Sequence, residues 1–584
     1  MSEPTNGKGG GEPRVSPVGA VARPAGAAAR PVPAARAAGA VRPEGATRAA
    51  PDWDLVRKRN NVEKLKYEKH PLRILDEVPA LGEMDYNDVS EEDMVRFQWY
   101  GLYHDKPKVG LMMLRIKVPA GFLTLAQLRV IGELSAKFGR DYAELSTRQT
   151  IQLHWLRIRD LPEVFSALAS VGMTSKGGCG DAVRNVTGCA VAGLDATELF
   201  DCRPELTELV NYFINHDEYL DLPRKHKITM ATCTDQCNAP EINCISFVGA
   251  QQGERVGFAV HVGGGLSSTP RIARDLGVFI DKGEALEVAR AILDVWRHDL
   301  KYRVSRAKAR LKFLVDDYGA EGVRTAVEER LGRKLEDLVT PPVPTETSDH
   351  MGIHPQKEPG KVYIGVPVFA GQINAKQAVA IADLAESFGG DVRVTRQQNF
   401  ILTGVPAERT DEVVAKLAEI GFLLDVHKLR GTSIGCTGQP LCNYAVAETK
   451  PKMREIVERL EARFGKDAES VSIGVDGCPH ACAHHWISDI GLQGTTARGD
   501  GVTKLEAYEV YLRGGLGVDA QIGRPILRRV PAGEAVDVVE RLVAGWLEKR
   551  EDGESFQAFA RRTADEDLIA LASGTGAVAA VGGA

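Results

Sequence analysis

The sequence predicts an internally duplicated α+β protein in which two small domains pair about a pseudo-twofold axis and each is followed by a larger α+β domain. Two internal matches support this prediction. A stretch that begins at Leu111 matches one that begins at Lys361 at a nearly constant offset. The segment from Thr232 likewise matches the segment from Gly477, at an offset of 245 residues. In each small repeat, apolar periodicity predicts the order strand, helix, strand, strand, helix.

The repeats share short sequence signatures but differ at positions that can carry chemistry. The shared signatures are Ala120-Gly121 with Ala370-Gly371, Phe138-Gly139 with Phe388-Gly389, Thr147-Arg148-Gln149 with Thr395-Arg396-Gln397, and Cys233 and Cys237 with Cys478 and Cys482. In contrast, Arg115 in the first copy aligns with Gly365 in the second. We therefore expect one active site on a duplicated scaffold, with basic residues from one half and cysteines from the other.

The length and composition allow several domains and give no sign of a membrane or nucleic-acid partner. The 584 residues carry a formal net charge of -6, and no apolar run approaches the roughly 20 residues of a membrane span. The N-terminus lacks the apolar core of a signal peptide, and Glu3 and Glu12 interrupt the basic pattern of a transit peptide. The ten cysteines are clustered, which favours metal binding in a reducing cytoplasm.

Composition shifts and the repeats together predict the domain boundaries. They are a disordered Ala/Pro-rich tail at 1–50, a wrapping N-terminal segment at 51–106, small half-domains at 107–175 and 355–425, larger domains at 176–345 and 426–565, and a loose C-terminal tail at 572–584.

The second half contains a cysteine pattern suited to an iron–sulfur cluster. Cys436 and Cys442 are spaced C-x5-C, and Cys478 and Cys482 are spaced C-x3-C. Four thiolates can hold a [4Fe–4S] cluster. Ligand pairs of zinc sites are usually closer, so the wider spacing disfavours zinc, although structural or zinc-binding cysteines remain alternatives.

The order of motifs along the chain strongly resembles the siroheme-containing sulfite and nitrite reductases, chiefly their ferredoxin-dependent branch. The similarity runs from about Arg96 to about Glu548 and includes MMLRIKVPAG, STRQTIQLHW, LPRKHK, HVGGGLS, GCTGQPLC and GCPHAC. The resemblance implies ferredoxin-like half-domains and siroheme- and [4Fe–4S]-binding larger domains. It also implies six-electron reduction of sulfite to sulfide or nitrite to ammonia, with Cys482 joining the cluster to the siroheme iron.

The resemblance also assigns roles to basic residues that would otherwise be interpreted as solvated surface. The residues similar to the family's anion-binding set are Arg115, Arg184, Lys225 and Lys227. Those expected to meet siroheme are Arg148, Gln152, His154, Gly264, Gly265, Arg303, Arg306 and Arg310. A small oxyanion and a polycarboxylate both need cations to replace lost water.

The substrate and donor expectations depend on fewer residues. Lys227 ends LPRKHK, where sulfite-reducing relatives typically have Lys and nitrite-reducing relatives often have Asn. A second ammonium favours dianionic sulfite, with nitrite as the alternative. No flavin or nicotinamide region is recognised, so electrons are expected from a separate protein. The resemblance implies ferredoxin, with a separate flavoprotein as the alternative, and we expect a cytoplasmic monomer. An iron–sulfur carrier without substrate chemistry and a zinc-stapled structural protein are weaker alternatives.

Other cysteines raise two further hypotheses. Tyr103 and Cys179 resemble a pair that some relatives join covalently beside the siroheme, and the alternative is two unlinked pocket residues. The first half also contains the aligned Cys233 and Cys237, with Cys179 and Cys189 upstream, and these could hold a second cluster. The absence of a C-x5-C pair there disfavours this hypothesis, since buried free cysteines are common.

Overall fold

The computed structural model of the chain describes residues 50–344, 349–499 and 504–574. The predicted tails therefore lie outside the described residues, apart from Ala50 and the stretch 572–574. The last helix extends to Ser573 and buries Ala572, which the sequence analysis assigns to the loose tail. None of the helices in the described ranges combines the length and apolarity needed to cross a membrane.

The N-terminal segment contains four helices. They are α1 (Trp53–Arg59), α2 (Asn61–Glu68), α3 (Ile74–Glu83) and α4 (Glu91–Arg96). The side chains of Asp52, Asn60 and Ser90 accept hydrogen bonds from free N–H groups at the start of α1, α2 and α4. On α2, the buried Glu63 binds both Lys66 and Arg303, so this segment is fastened to a region 240 residues further along the chain.

The first small repeat and the larger region after it supply eleven strands and five helices. The small repeat contains β1 (Leu102–His104), β2 (Met112–Ile116), β3 (Phe122–Leu123), α5 (Leu125–Phe138), β4 (Ala143–Leu145), β5 (Ile151–Leu156) and α6 (Leu161–Ser170). The larger region contains β6 (Thr187–Gly188), α7 (Arg203–Asn215), β7 (Ile228–Ala231), β8 (Ile245–Gln252), β9 (Arg255–Val262), β10 (Arg274–Asp281), α8 (Ala285–His298), α9 (Leu311–Leu331) and β11 (Glu336–Asp337).

The second half repeats this order. Its small repeat contains β12 (Gly352–Pro355), β13 (Lys361–Val366), β14 (Gln372–Ile373), α10 (Ala375–Glu386), β15 (Val392–Val394), β16 (Phe400–Pro406) and α11 (Thr410–Ile420). The larger region contains α12 (Leu429–Thr432), β17 (Ile434–Gly435), α13 (Lys450–Phe464), β18 (Ile473–Asp476), β19 (Ile490–Arg498), β20 (Lys504–Leu512), β21 (Arg524–Pro531), α14 (Ala535–Lys549), α15 (Phe556–Arg562) and α16 (Asp565–Ser573).

The two small repeats are joined because each completes the sheet of the other. One sheet has the order β1-β2-β5-β4-β14 and the other β12-β13-β16-β15-β3, so the last strand of each comes from the opposite copy. Helices α5 and α10 both begin with a capping box and contribute apolar faces to one shared core. The pseudo-symmetric, duplicated α+β fold expected from the sequence is confirmed.

Symmetric hydrogen bonds across this pair also correct the sequence match. Gln149 donates to the carbonyl of Val394 at 3.0 Å, and Gln398 donates to the carbonyl of Leu145 at 2.8 Å. Both glutamines have positive φ, at 52° and 65°. Gln149 therefore corresponds to Gln398 and not to Gln397 as the sequence match has it, because the consecutive glutamines allow either register. Arg148 and Arg396 are consequently not equivalent.

The larger regions share a strand arrangement that positions their cysteine loops. In the order β11-β10-β9-β8-β7-β6, strands β6, β7 and β8 are parallel and the others antiparallel. In the order β17-β18-β19-β20-β21, strands β17, β18 and β19 are parallel. Because the carboxyl ends of neighbouring parallel strands lie at one edge, the loops after β6 and β7 meet, as do the loops after β17 and β18.

Candidate functional site

The four predicted cluster cysteines lie in the loops after β17 and β18. Cys436 and Cys442 are half-buried, Cys478 is buried and Cys482 is exposed. Gly438 has a φ of +62°, and a side chain there would collide with Thr449, so the first loop requires glycine. The N–H of Gly477 points at Cys436 Sγ at 3.4 Å. The loops thus gather four sulfurs and aim backbone dipoles at them.

The protonation of these thiols fits metal binding. Burial raises the pKa of Cys436, Cys442 and Cys482, and raises that of Cys478 to about 12. Buried thiolates are therefore costly unless a metal compensates their charge. The donor set is suited to a [4Fe–4S] cluster.

Cys482, in the second half of the chain, lies close to residues of the first half. Its carbonyl accepts a 2.8 Å hydrogen bond from Thr147 Oγ1, in the first small repeat. After the effects of burial and of Asp476, the positive charge of Lys225 acts on its thiol, and Arg115 acts more weakly. The Cys482 thiol of the second half thus lies close to cations of the first half.

Arg115 is held in a fixed orientation by its neighbours. It lies on β2 opposite Gln152 on β5, and its Nε and Nη2 donate to Gln152 Oε1 at 3.1 and 2.7 Å. Its Nη1 donates to Cys179 Sγ at 2.8 Å. Gln152 in turn donates to Glu144 and Thr437, each at 3.1 Å. The guanidinium is therefore positioned by contacts from both halves.

The other predicted anion ligands have few partners. Arg184 donates to the carbonyl of Gly180 at 2.7 Å. Within the described parts of the chain, the side-chain amines of Lys225 and Lys227 form neither a hydrogen bond nor an ion pair. Burial, followed by the charge of Arg310, lowers the pKa of Lys225 to about 7, and burial also lowers the pKa of Lys227. Both side-chain amines can therefore bind an anion without first breaking a contact within the protein.

Arg148 and Arg310 complete this concentration of positive charge. Arg148 donates to Asn243 Oδ1 at 2.6 Å and to the carbonyl of Asn185 at 2.7 Å, and burial lowers its pKa to about 9. The Nε atoms of both arginines are buried without a hydrogen-bond partner. Gly265 lies against Arg310, and a side chain at this glycine would collide with the guanidinium.

These cations share one property that supports siroheme binding. In the described ranges, none of the six forms an ion pair with a carboxylate. The six cations are Arg115, Arg148, Arg184, Lys225, Lys227 and Arg310. A group of partly desolvated cations is costly unless an anion neutralises it. The residues present therefore fit a polycarboxylate cofactor together with a small oxyanion.

The structure places the remaining predicted siroheme residues in contacts within the protein. Arg306 pairs with Asp181 at 2.8 Å, and Arg303 pairs with Glu63 at 3.0 Å. His154 hydrogen-bonds Asp105 at 2.8 Å. Gly264 lies tightly against the carbonyls of Asn243 and Glu241. Whether these four also touch siroheme stays a prediction.

A buried network around Glu144 was not anticipated. Glu144 accepts from Thr437 at 2.6 Å and from Gln152 at 3.1 Å, and lies 3.7 Å from Lys450. It thereby couples Arg115 to the loop that carries Cys436 and Cys442. A lone acidic residue in a strand carries no motif, so sequence reasoning had no signal for it.

The fold and these residues define a class of redox protein in which an iron–sulfur cluster lies beside a polyanionic cofactor. The "Nitrite and sulphite reductase 4Fe-4S domain" model matches residues 179–335 and 428–569. The "Nitrite/Sulfite reductase ferredoxin-like half domain" model matches residues 104–171 and 354–420. The chain belongs to the nitrite and sulphite reductase family, whose members are oxidoreductases, and its cofactors are siroheme and a [4Fe–4S] cluster.

Individual relatives cover most of the chain. "Sulfite reductase [ferredoxin] 1" of Mycolicibacterium paratuberculosis is 34% identical over 89% of this chain and 98% of its own length. The "Assimilatory ferredoxin-dependent nitrite reductase" of Haloferax mediterranei is 34% identical over 83% of this chain and 88% of its own. The solved structure of the Mycobacterium tuberculosis NirA protein superposes with a TM-score of 0.84 at 32% identity, covering 88% of this chain and 99% of that one.

The ion pair of His154 predicts a pH dependence of stability. Burial opposes its charge, but the hydrogen bond to Asp105 and the carboxylate of Glu144, 3.6 Å from Nε2, prevail and raise its pKa from the ordinary 6.5 to about 9. The folded state thus binds this proton more tightly than the unfolded state, so the stabilisation is complete below pH 6.5 and is lost as pH rises through about 9. Between pH 7 and pH 10 (about one unit beyond the folded pKa), the melting temperature of the wild type should fall more steeply than that of His154→Gln. Equal slopes would contradict the assignment.

Proposed function

We propose that this protein is a ferredoxin-dependent reductase that converts sulfite to sulfide by six-electron reduction, with nitrite reduction to ammonia as the alternative. One observation carries the proposal: the Cys482 thiol of the second half lies close to half-buried cations of the first half that have no carboxylate partner among the described residues. Relatives named as sulfite and as nitrite reductases both match along most of the chain, which supports this reaction class.

The residues divide into three roles. Cys436, Cys442, Cys478 and Cys482 would hold the cluster, and Cys482 would also join it to siroheme. Arg148 and Arg310 would neutralise carboxylates of siroheme. The residues proposed to contact it as well are Gln152, His154, Gly264, Gly265, Arg303 and Arg306. Arg115, Arg184, Lys225 and Lys227 receive the anion. When bound, the two cofactors supply the electrons and the metal at which the anion is reduced.

The anion-binding residues also suit proton delivery. Removing oxygen from sulfite or nitrite as water consumes protons at each stage. Lys225 has a pKa of about 7, lowered first by burial, so its ammonium can give up a proton near neutral pH. Arg115 remains protonated and, held by Gln152 and Cys179, orients the anion.

The finer assignments are proposals of the same kind. Ferredoxin is the donor named for the relatives, and we extend that donor to this chain. We propose a cytoplasmic monomer, because the duplication already supplies the pseudo-twofold partner. The domain boundaries 51–106, 107–175, 176–345, 355–425 and 426–565 are proposed on the sequence repeats.

Replacing Cys482 tests the central proposal. Cys482→Ser should lower sulfite and nitrite turnover with reduced ferredoxin or methyl viologen by more than about 100-fold, equivalent to ~3 kcal/mol of lost transition-state stabilisation. The control is Cys202→Ser, since Cys202 is a buried thiol outside the site. Full turnover by Cys482→Ser, or colourless wild-type protein made with ample iron and tetrapyrrole precursor, would sink the proposal.

Replacing Lys227 tests the substrate preference. Lys227→Asn removes one positive charge and should lower the ratio of kcat/KM for sulfite to that for nitrite about tenfold, or ~1.4 kcal/mol. Lys176→Gln, at an exposed ion pair with Asp217, is the control. An unchanged ratio would refute the role of Lys227 without affecting the reaction class.

A thioether between Tyr103 and Cys179 is a separate hypothesis. Burial raises the pKa of Tyr103, and the neighbouring Cys179 raises it further, which places the two groups close together. Bond formation between Sγ and a ring carbon releases two protons and two electrons to an external oxidant such as dioxygen. Peptide mass spectrometry should find a linked pair two hydrogens lighter than the separate peptides, and Cys179→Ala should abolish it. Unlinked peptides alone would reject the thioether.

A further inference from the structure

A second group of metal-ligating side chains lies in the first half, outside the site described above. The ligand atoms of Cys189, Cys237 and His350 all lie within 4.8 Å of one another. Cys233 Sγ is 3.8 Å from Cys189 Sγ, and His350 Nε2 is 3.2 Å from Cys237 Sγ. All four side chains belong to residues that are at most 5% exposed. We call these four residues the Cys3His group.

We propose that the Cys3His group binds one Zn²⁺ ion as a closed structural site. Ligands at the corners of a tetrahedron with Zn–S bonds of ~2.3 Å place neighbouring sulfurs ~3.8 Å apart. The separation of Cys189 and Cys233 matches this value. Cys189, Cys237 and His350 supply three ligands, and Cys233, next to Cys189 but outside the 4.8 Å group, would complete the set of four. Four protein ligands leave no open coordination position, which is typical of structural zinc.

The spacing favours a single ion over a second iron–sulfur cluster. Cysteines of a cube bind different irons and therefore lie farther apart than ligands of one ion. In the described ranges, the four cluster cysteines of the second half do not form a group within 4.8 Å, whereas three members of the Cys3His group do. The first-half group is thus the more compact of the two.

The duplication explains how this group arose on the same scaffold. Cys189 follows β6 as Cys436 follows β17, and Cys233 and Cys237 follow β7 as Cys478 and Cys482 follow β18. The position matching Cys442 is Asp195. Three thiols are therefore retained at the pseudo-equivalent place, and the fourth ligand comes from elsewhere in the chain.

His350 can reach the three cysteines because Gly365 in the second small repeat leaves space for the backbone of His350. Gly365 stands where the first repeat has Arg115, and a side chain at Gly365 would collide with the carbonyl of His350. The Nδ1 atom of His350 lies 3.3 Å from the hydroxyl of Tyr363, which orients the ring and leaves Nε2 facing Cys237. A zinc ion here would fasten the first larger region to the entry of β12.

Metal analysis of the full-length holoenzyme tests the proposal. Mass spectrometry of the metals should find about one zinc and about five irons per chain, four in the cluster and one in siroheme. Zinc-edge X-ray absorption should show three sulfur ligands and one nitrogen ligand. Because this method is element-specific, the iron cofactors do not interfere.

Variants identify the ligands. Cys233→Ser and His350→Ala should lose most of the zinc while retaining the iron, whereas Cys202→Ser, with a buried thiol outside the group, should retain both metals. If a variant does not fold, release of one zinc from the wild type on mercurial treatment, together with the sulfur and nitrogen coordination, still decides the question.

Three outcomes would overturn the proposal. One is wild-type protein without zinc when purified from zinc-containing medium. Another is about nine irons per chain, which would indicate a second cluster. The third is a peptide pair in unreduced protein that shows a disulfide between Cys189 and Cys233. None of these outcomes depends on sulfite or nitrite turnover, so they are independent of the proposed function.

Discussion

The arrangement depends on the electrostatic requirement of six cations around the site. Arg115, Arg148, Arg184, Lys225, Lys227 and Arg310 are half-buried or buried, and none of them has a carboxylate partner among the described residues. The low pKa of Arg148 and Lys225 reflects that cost. Folding around such a group is tolerable only when an anionic ligand restores neutrality. The free-energy cost of desolvating these cations is offset by the extensive apolar cores beneath the four sheets.

Divergence of the two halves accounts for the single reaction centre. Arg115 points its guanidinium at Cys179, while the matching Gly365 accommodates the backbone of His350. The same loops carry four cysteines in one half, but three cysteines and a neighbouring histidine in the other. One ancestral scaffold thus separates into a half that contributes cations and a half that contributes the sulfur ligands of the cluster.

Much of the fold could be predicted because local sequence patterns determine its helices, strands and cysteine loops. The strand–helix order of the small repeats follows from apolar periodicity, and the cysteine pairs follow from their spacing. Contacts between distant residues could not be predicted in this way. The partners of Glu144 lie on β5 and in the loop after β17, and Arg303 is engaged by Glu63 on α2. The register of Gln149 against Gln398 likewise required backbone geometry, because two adjacent glutamines fit either alignment.

The exchange of β3 and β14 means that neither small repeat can complete its sheet alone. A lone copy would expose the backbone of β4 or β15 along an unprotected edge. A single copy would therefore be expected to complete its sheet only in a homodimer with exchanged strands. Within one chain the same contact is intramolecular, so the two copies can differ in sequence.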